Sequence, residues 1–511
     1  MKAQNLVGGV WDDNPQANTY KTVNPVTKAS LPTNFQEATK QQIQISVNKA
    51  SEVFDLYSSI SFAERIKFLS SIKSGLLKKS DKILETFQNE SALPKSRAEG
   101  EFQRTVNQIE NFVKLLEEGS FIKPIIHTGG PDLRKMLYPI GPVAVFGASN
   151  FPLAFSTAGG DTISALAAGC PVIVKAHPYH SGTSTIVAEV INNALLNSDL
   201  PVEIFSHLGG TSHSVGSNLV SHPLIKAVGF TGSFQGGKAL YDLAQNRSEP
   251  IPVFAEMGSI NPIFITEKYL LEDNKLPANL AQSISLGTGQ FCTNPGMIIY
   301  CDSENKSDIS KQVYELLSDA LLPPMVHINI ENNYKLKLKN LKKNNHVKLM
   351  GISDNNSSLA TISAQQLIEN TYLFEEIFGP FSLVVHCNSL NEMNKIASLI
   401  PGQLTATILA KKSDFSNISS IVKILKNKVG RLLFEGVPTG VAINQAMNHG
   451  GPYPASTDVR YTSVGTDSIY RWLRPISFQD CPDSFLPPAL QNVNPLGINR
   501  VVNGIQTKTE L

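Results

Sequence analysis

The sequence is poor in cysteine and almost without net charge. Its 511 residues include five cysteines, at positions 170, 292, 301, 387 and 481, and none belongs to a CxxC pair. An odd number of widely spaced cysteines argues against a disulfide framework and a zinc site, and it fits a reducing compartment. The formal net charge is +1, so no long-range field would attract nucleic acid or an acidic membrane.

Long apolar runs are also absent. No stretch approaches 18 uninterrupted apolar residues, so no membrane span is predicted. The N-terminus "MKAQNLVGGVWDDNPQ" lacks the apolar region of a signal peptide. We therefore expect a soluble cytoplasmic protein. The most basic segment, Lys335 to Lys348, is interpreted as a solvated helix face plus a loop and not as a nucleic-acid patch.

The length and composition are those of a globular protein with two or three domains. Residues 36–119 repeat apolar side chains at helical spacing. Ser61 is a predicted N-cap because Glu64 follows it three residues later, and Gly119 is a predicted helix stop. The first part of the chain is therefore expected to be mainly helical.

Short apolar runs alternate with amphipathic segments from Pro142 onward, and residues 155–169 are one of the predicted helices. A second alternation runs from about Ile263 to about Val441. This pattern predicts βαβ units and parallel sheets buried on both faces. Ligands of such sheets bind at the carboxyl ends of the strands. The Pro-rich tail from Thr466 is expected to pack on another surface, for example on a second subunit.

Cys292 differs from a core cysteine in its surroundings. It lies in "ISLGTGQFCTNPGM", among glycines and polar residues. A structural cysteine prefers apolar neighbours, whereas a reactive thiol needs access and a polar setting. The segment therefore indicates a reactive thiol.

Four further positions have both a functional and a structural interpretation. Asn150 could donate to an oxyanion or form an Asx turn. Lys175 and Glu256 each end an apolar strand, where they could bind a ligand and act as a general base, or lie in ion pairs at the sheet edge. The turn at Gly232 and Ser233 could hold a phosphate or simply join a strand to a helix.

The order of these features resembles the aldehyde dehydrogenase superfamily over nearly the whole chain. The motifs that carry the resemblance are "FTGS", "AEMGSINP", "GQFC" and "EEIFGP", in this order. The segments "GASNFPLAFSTAGGDTISALAAGCPVIVKAHPYHSGTS" and "HGGPYPASTDVRYTSVGT" look like the branch that acts on α-ketoglutaric semialdehyde (2,5-dioxopentanoate). That branch is related to an NADP-linked fatty aldehyde dehydrogenase.

The resemblance implies an α/β architecture and a domain division. Residues 1–124 and 142–253 would form a parallel-sheet dinucleotide-binding domain, and residues 254–445 an α/β catalytic domain. Residues 125–141 and 466–511 would form an oligomerisation element. A homodimer or homotetramer that needs no metal is the expected form, with a small aldehyde as its substrate.

The resemblance also implies the catalytic roles. The thiolate of Cys292 would attack the aldehyde carbon and form a thiohemiacetal. The amide of Asn150 and the backbone N–H of Cys292 would stabilise the oxyanion. After hydride transfer leaves a thioester, Glu256 would activate the water that hydrolyses it.

Five residues correspond to the family's cofactor contacts. Lys175 would contact the adenine ribose, and Gly232 and Ser233 would lie beneath the pyrophosphate. Glu376 and Phe378 of "EEIFGP" would hold the nicotinamide ribose and ring.

One cofactor position departs from the NAD-preferring pattern. Members that prefer NAD often have a glutamate three residues after the lysine, where this chain has Pro178. Without that carboxylate both NADP and NAD are possible, and His177 or His180 could assist a 2′-phosphate.

The substrate contacts have two candidate sets. Arg104 or Arg460 could bind the carboxylate of a semialdehyde acid, although each could equally form a surface or interdomain ion pair. A pocket lined by Phe151, Phe155 and Phe291 would also accept a medium or long aliphatic aldehyde, which is the alternative substrate.

Two other functions, one enzymatic and one non-catalytic, fit these residues less well. A coenzyme A-acylating enzyme would not need a water-activating base, and Glu256 argues against it. A non-catalytic protein of this fold would not need Cys292, Glu256 and Asn150 together.

Overall fold

The computed structural model describes residues 2–352 and 357–511. The strands, in chain order, are β1 Asn5–Val7, β2 Val10–Asp12, β3 Thr19–Tyr20, β4 Phe35–Gln36, β5 Ile125–His127, β6 Leu133–Pro139, β7 Val143–Phe146, β8 Val172–Lys175, β9 Phe205–Leu208, β10 Ala227–Thr231, β11 Val253–Glu256, β12 Ile263–Ile265, β13 Met297–Cys301, β14 Lys348–Ile352, β15 Ser358–Ser363, β16 Phe381–Cys387, β17 Gln403–Leu409, β18 Val429–Leu433, β19 Leu473–Gln479, β20 Arg500–Val502 and β21 Ile505–Thr507.

The α-helices are α1 Lys40–Glu52, α2 Phe54–Ser59, α3 Phe62–Lys78, α4 Ser80–Ser91, α5 Lys95–Glu118, α6 Gly160–Ala168, α7 Ser181–Leu196, α8 His213–Ser221, α9 Phe234–Gln245, α10 Glu267–Glu272, α11 Leu276–Ser285, α12 Ile309–Asp319, α13 Ile328–Leu341, α14 Ala364–Glu369, α15 Leu390–Leu399 and α16 Ser419–Leu425. None of the helices within residues 2–352 and 357–511 has the length and apolar character needed to cross a membrane.

The helices of the N-terminal block follow the predicted signals. Ser61 caps α3 and forms a capping box with Glu64. Helix α5 ends at Gly119, which has the left-handed conformation (φ 75°) that favours glycine. The basic segment from Lys335 lies on α13 and the turn after it, and α13 buries Tyr334 and Leu338 against the core. The interpretation as a solvated helix face with a loop is confirmed.

The first sheet has the strand order β11-β10-β7-β8-β9-β1-β2. The strands from β11 to β9 pair in parallel, as the alternation from Pro142 predicts. Strands β1 and β2 extend this sheet in antiparallel fashion, an addition that the sequence did not indicate. The carboxyl ends of β8, β10 and β11 lie at one edge, which places Lys175, Gly232 and Glu256 on the same side of the sheet.

The second sheet has the order β14-β15-β16-β13-β12-β17-β18 and is parallel except for β14. It contains the strands predicted between Ile263 and Val441. A third sheet, β19-β6-β5-β20-β21, joins residues 125–139 to the C-terminal tail. The tail therefore packs on this chain's own strand β6.

One predicted helix starts later than expected. Residues 155–159 are not helical, and α6 begins only at Gly160. The chain turns sharply before α6 and brings Gly159 close to the carbonyl oxygen of Ala154. A Cβ on Gly159 would lie only 2.6 Å from that oxygen, so the turn requires glycine here. Apolar spacing alone did not reveal this turn.

Candidate active site

The loop before Cys292 is held tightly by backbone contacts. Gly289 has φ 65°, and a Cβ there would overlap the carbonyl of Gly379 in the "EEIFGP" segment. Asn261 donates through Nδ2 to the carbonyl oxygen of Cys292 at 2.8 Å. The glycines around Cys292 therefore allow two loops to lie in direct contact, and Asn261 fixes the cysteine backbone.

The thiol of Cys292 faces a histidine and a carboxylate. Sγ lies 3.3 Å from Nε2 of His449, and the same Nε2 lies 2.9 Å from Oε1 of Glu256. The exposed fractions of His449 and Glu256 are only 1% and 4%. Ser463 donates its hydroxyl to the other carboxylate oxygen at 2.5 Å. The contacts of the thiol and of the carboxylate with His449 meet at the same ring nitrogen, and the thiol also interacts directly with the carboxylate. We call these three groups the thiol–imidazole–carboxylate line.

The electrostatics of this line oppose loss of the thiol proton to solvent. Burial raises the pKa of Cys292 well above its ordinary value, and the negative charge of Glu256 acts in the same direction. Burial also favours the neutral form of Glu256, but His449 and the Ser463 hydroxyl outweigh it and lower the pKa of this carboxyl. At neutral pH the site therefore contains a protonated thiol and an ionised carboxylate with an imidazole between them.

His449 and Ser463 reach Glu256 because one C-terminal segment runs back along β11. The backbone N–H of Met257 donates to Ala455 at 2.8 Å, and Glu256 forms an antiparallel bridge with Ser456. The backbone of Ser463 in turn donates to the carbonyl of His449 at 2.8 Å. The end of the parallel strand is thus covered by a segment that brings its own polar side chains.

Asn150 lies on the same side of the thiol. It follows strand β7, and its Nδ2 donates to the carbonyl oxygen of Gln290 at 3.0 Å. Gln290 is only two residues before Cys292. A side-chain amide is therefore available beside the cysteine loop, where an oxyanion on an attached substrate would need a donor.

The three predicted phenylalanines come together, but only one lines the cavity next to this line. The rings of Phe151 lie 5.2 Å from Phe155 and 5.5 Å from Phe291, edge to face. Phe155 lines the cavity together with Arg104, Gln108, Ile443 and Ser463, among others. Phe151 and Phe291 are buried behind this cavity wall in a cluster with Ala154, against which Phe155 packs.

The two candidate arginines differ in their surroundings. Arg104 is half-buried, lines the cavity and donates to the carbonyl of Val441. Arg460 has a side chain that is 73% exposed, and it is paired with Asp458. The structure brings Arg104 to the cavity and places Arg460 on the surface.

The carboxyl edge of the first sheet fits a dinucleotide. Lys175 ends β8, donates through Nζ to Gly210 at 2.7 Å, and has its pKa lowered to about 8 by burial. Ser233 caps helix α9, whose N-terminal N–H groups suit an anion. Gly232 has no room for a side chain, because a Cβ would lie 2.7 Å from the ring of Phe230. A phosphate could therefore approach the backbone closely here.

Glu376 and Phe378 lie on the opposite wall, in the loop before β16. A Cβ at Gly258 would collide with the carboxylate of Glu376, which places this carboxylate against the backbone two residues after the end of β11. Burial raises the pKa of Glu376 to about 7. Phe378 is half-buried, next to the Gly379 that contacts the cysteine loop.

The two histidines near Pro178 do not supply a positive charge. His180 is buried, with one ring nitrogen 2.7 Å from the Ala148 carbonyl and the other 3.0 Å from Ser184. Burial lowers its pKa to about 4, and burial lowers the pKa of His177 well below its ordinary value. Burial therefore favours the neutral form of both imidazoles, and the expectation that either could assist a 2′-phosphate stays a prediction.

Comparison with known proteins decides the family. The pattern of the Aldehyde dehydrogenase family matches residues 11–427. The chain belongs to this family. It is 39% identical over 486 residues to "Alpha-ketoglutaric semialdehyde dehydrogenase 2" of Azospirillum brasilense, covering 92% of this chain and 93% of that protein. It is also 39% identical over 513 residues to "Alpha-ketoglutaric semialdehyde dehydrogenase" of Acinetobacter baylyi, covering 96% of each.

The fold is shared with solved aldehyde dehydrogenase-fold structures. A 1-pyrroline-5-carboxylate dehydrogenase from Thermus with bound NAD superposes with a TM-score of 0.78 at 19% identity, over 93% of this chain and 92% of that chain. As an aldehyde dehydrogenase, this chain is an oxidoreductase that acts on aldehydes with NAD or NADP.

Two side chains of this aldehyde dehydrogenase site escaped the sequence reasoning. His449 and Ser463 lie in "HGGPYPAS" and "RYTSVG", segments whose resemblance was noticed without a role for either residue. The available signal was the histidine followed by two glycines in "HGGPYPAS". Its partner lies 157 residues away in sequence, so no local pattern could join them.

Proposed function

We propose that this chain oxidises α-ketoglutaric semialdehyde (2,5-dioxopentanoate) to 2-oxoglutarate. Two relatives with this activity in their names share 39% identity over more than nine-tenths of the chain. Arg104 lines a cavity together with Ser463, the hydrogen-bond partner of Glu256, and its charge acts on Cys292, so its guanidinium would be a partner for the substrate carboxylate. The observation that carries the reaction type is the line of Cys292, His449 and Glu256, supported by the nearby Asn150 amide.

In this proposal the thiol proton moves to the imidazole. Nε2 of His449, 3.3 Å from Sγ, accepts the proton as the sulfur attacks the aldehyde carbon. The resulting imidazolium faces the carboxylate of Glu256 at 2.9 Å, which stabilises it. The Asn150 amide and the Cys292 backbone N–H donate to the oxyanion of the thiohemiacetal.

A nicotinamide cofactor, when bound, would supply the hydride acceptor that oxidation of the thiohemiacetal to a thioester requires. That cofactor would be held by Lys175, Gly232, Ser233, Glu376 and Phe378. Glu256 then takes a proton from the water that attacks the thioester. Its low pKa keeps the carboxylate ionised for this step.

We propose NAD as the preferred cofactor. Lys175 already donates to Gly210, and both nearby imidazoles are neutral. Glu37 lies close enough to Lys175 to act on its charge and accepts hydrogen bonds from Thr211 and Ser212, beside the same strand ends. The negative charge of Glu37 at the adenosine end of the site would repel the negative charge of a 2′-phosphate.

A medium or long aliphatic aldehyde is the second candidate substrate. Phe155, Ala158, Ile443 and Val464 give the cavity several apolar walls. Arg104 distinguishes the two candidates, because its guanidinium could pair with the carboxylate of a semialdehyde acid but finds no such partner on an aliphatic aldehyde.

The domain division remains a proposal as well. We assign residues 1–124 and 142–253 to cofactor binding and residues 254–445 to catalysis. We assign 125–141 and 466–511 to assembly of a homodimer or homotetramer. Phe485 and Ile505 in the tail expose 77% and 70% of their surface in the single chain, which supports a covered surface in an oligomer. Light scattering on the purified protein gives the subunit number.

The deciding experiment follows the reduced cofactor by its absorbance with NAD and with NADP. The substrates are 2,5-dioxopentanoate, glutarate semialdehyde, succinate semialdehyde and decanal. We expect the highest kcat/KM with 2,5-dioxopentanoate and NAD. Preference for decanal would assign the chain to aliphatic aldehydes, and turnover of none would contradict the enzymatic proposal.

A further inference from the structure

We propose that Cys292, His449 and Glu256 also form a binding site for a Zn²⁺ ion, which would reversibly block the thiol. The three ligand atoms lie within 4.8 Å of one another. Zinc ligands of this type are bound at about 2.3 Å for sulfur and about 2.0–2.2 Å for nitrogen and oxygen, which separates tetrahedral ligand atoms by about 3.5 Å. The observed separations of 3.3 Å and 2.9 Å need little rearrangement.

The carboxylate is aimed at the site without a satisfied hydrogen bond. Oε1 of Glu256 is 2.9 Å from Nε2 of His449 but meets no donor in hydrogen-bonding geometry. An unsatisfied buried carboxylate oxygen is costly, and a cation would remove that cost. Three protein ligands with a fourth open position are the arrangement of zinc sites that are accessible to solvent.

The charges balance when the ion is bound. A thiolate and a carboxylate carry two negative charges, which Zn²⁺ neutralises, while the imidazole stays neutral. The positive groups that act on the thiol, Arg104 and Arg431, oppose the ion. The soft thiolate favours Zn²⁺ over Mg²⁺ or Ca²⁺. Binding displaces the thiol proton, so affinity should rise with pH.

The test uses Co²⁺ as a spectroscopic substitute and Zn²⁺ as a competitor, with the full-length protein and no substrate. We expect one Co²⁺ per chain, with a sulfur-to-cobalt charge-transfer band that Zn²⁺ abolishes. Cys292→Ser should lose the band, and His449→Gln and Glu256→Gln should each weaken binding at least tenfold. Cys481→Ser is the control, because Cys481 is the other partly exposed cysteine.

Three results would overturn this site: no saturable band, a band that survives in Cys292→Ser, or unchanged affinity in both His449→Gln and Glu256→Gln. Because binding is measured directly, the result does not depend on the proposed substrate.

A second, independent observation concerns the buried carboxylate of Glu101 on α5. Its Oε1 accepts the backbone N–H groups of Leu153 and Ala154 at 2.8 and 3.0 Å. Its Oε2 lies 3.3 Å from the guanidinium of Arg97. The side chain of Glu101 is fully buried. It therefore fixes the loop that begins at Asn150.

Arg97 connects that loop to the cysteine loop. Its guanidinium lies over the rings of Phe151 and Phe291, 4.1 and 4.7 Å from their centroids. Phe151 follows Asn150, and Phe291 precedes Cys292. We infer that Glu101 and Arg97 are positioning residues that hold the amide of Asn150 at the correct distance from Cys292.

This second inference rests on the proposed roles of Asn150 and Cys292. Glu101→Gln should lower the single-turnover rate of cofactor reduction ten- to hundredfold, because small misplacements of reacting groups have effects of this size. The KM for the aldehyde should change much less. Arg97→Met, which keeps the packing of the stem, should show the same pattern. The double variant should lose less than the product of the two, because the residues act together.

Glu90→Gln is the matched control. Glu90 is also buried and accepts backbone N–H groups, those of Gly182 and Thr183 at 2.7 and 2.8 Å, at the start of α7. It should lose stability like Glu101→Gln but keep its turnover rate per folded molecule. Equal losses of turnover per folded molecule in both variants would overturn the inference. If the wild type turns over no aldehyde, the proposed function fails first, and the two failures are distinguishable.

Discussion

The opposite effects of Glu256 on the thiolate and on the imidazolium make one substitution informative. Glu256→Gln removes the negative charge and keeps the shape of the side chain. In the proposed mechanism the thiol proton moves to His449, so the carboxylate would stabilise a positive ring at 2.9 Å and destabilise a negative sulfur within 4.8 Å. In a His449→Gln background the proton has to leave for solvent, and only the repulsion remains.

The distances give the magnitudes. With an effective dielectric constant of about 20, the attraction at 2.9 Å is roughly 6 kcal/mol, and the repulsion is roughly 3 kcal/mol or more because the thiol and the carboxylate lie within 4.8 Å of each other. The carboxylate therefore favours the thiolate–imidazolium pair by at most roughly 2 kcal/mol, or up to about tenfold after screening. Without His449, the same carboxylate only repels the thiolate and so raises the pKa of the thiol.

The assay is alkylation of Cys292 by iodoacetamide at neutral pH, in a Cys481→Ser background that removes the other partly exposed thiol. Glu256→Gln should slow alkylation about tenfold when His449 is present. In the His449→Gln background it should speed alkylation, since removing the negative charge increases the thiolate fraction more than the lower pKa reduces its nucleophilicity. Glu376→Gln is the graded control, because Glu376 acts on the thiol in the same direction but more weakly.

A change of the same sign in both backgrounds would refute the role given to His449. Slower alkylation in both would mean that Glu256 itself removes the thiol proton. Faster alkylation in both would mean that His449 never becomes positively charged.

Three further variants test other parts of the site. Arg104→Ala should lower kcat/KM for 2,5-dioxopentanoate about 10- to 100-fold, the value of a charged hydrogen bond, and leave kcat/KM for decanal unchanged. The control Arg460→Ala should leave kcat/KM unchanged for both substrates. Equal losses on both substrates in Arg104→Ala would contradict a role of Arg104 in substrate recognition. Asn150→Ala should reduce the single-turnover rate about 10²- to 10³-fold with little change in cofactor affinity, as expected for an oxyanion donor; an effect confined to KM would contradict that role. Glu37→Gln should raise kcat/KM with NADP relative to NAD, because it removes the negative charge nearest Lys175; an unchanged cofactor ratio would show that Glu37 only holds the start of α8.

The sheets and strand-end residues were predictable because burial on both faces leaves a local mark. Each parallel strand is a short apolar run, and the residue that ends it is the first polar side chain to leave the core. Lys175 and Glu256 ended their strands as predicted, and Ser61 and Gly119 bounded their helices as predicted. Such signals depend on a few neighbouring residues, so one sequence is enough to find them.

The charge states and the long-range partners were not predictable in this way. The sequence suggested that His177 or His180 could assist a 2′-phosphate, but the charge of such a histidine depends on its burial, which for His180 comes from its contacts with Ser184 of α7 and with the carbonyl of Ala148 after β7. The pairing of His449 with Cys292 depends on the return of residues 449–464 along β11. The spacing of residues in the sequence predicts neither the burial of these histidines nor the pairing of His449 with Cys292.

That return segment also explains how one carboxylate can serve two steps. A carboxylate next to a buried thiol opposes thiolate formation. Without His449, Glu256 would therefore slow the attack of the thiol on the aldehyde, although the later hydrolysis of the thioester needs this carboxylate. His449 lies close to both groups and turns the repulsion into a net attraction once it holds the thiol proton. Ser463, from the same segment, keeps the second carboxylate oxygen hydrogen-bonded. The carboxylate can therefore remain ionised in the core until a thioester and a water molecule need it.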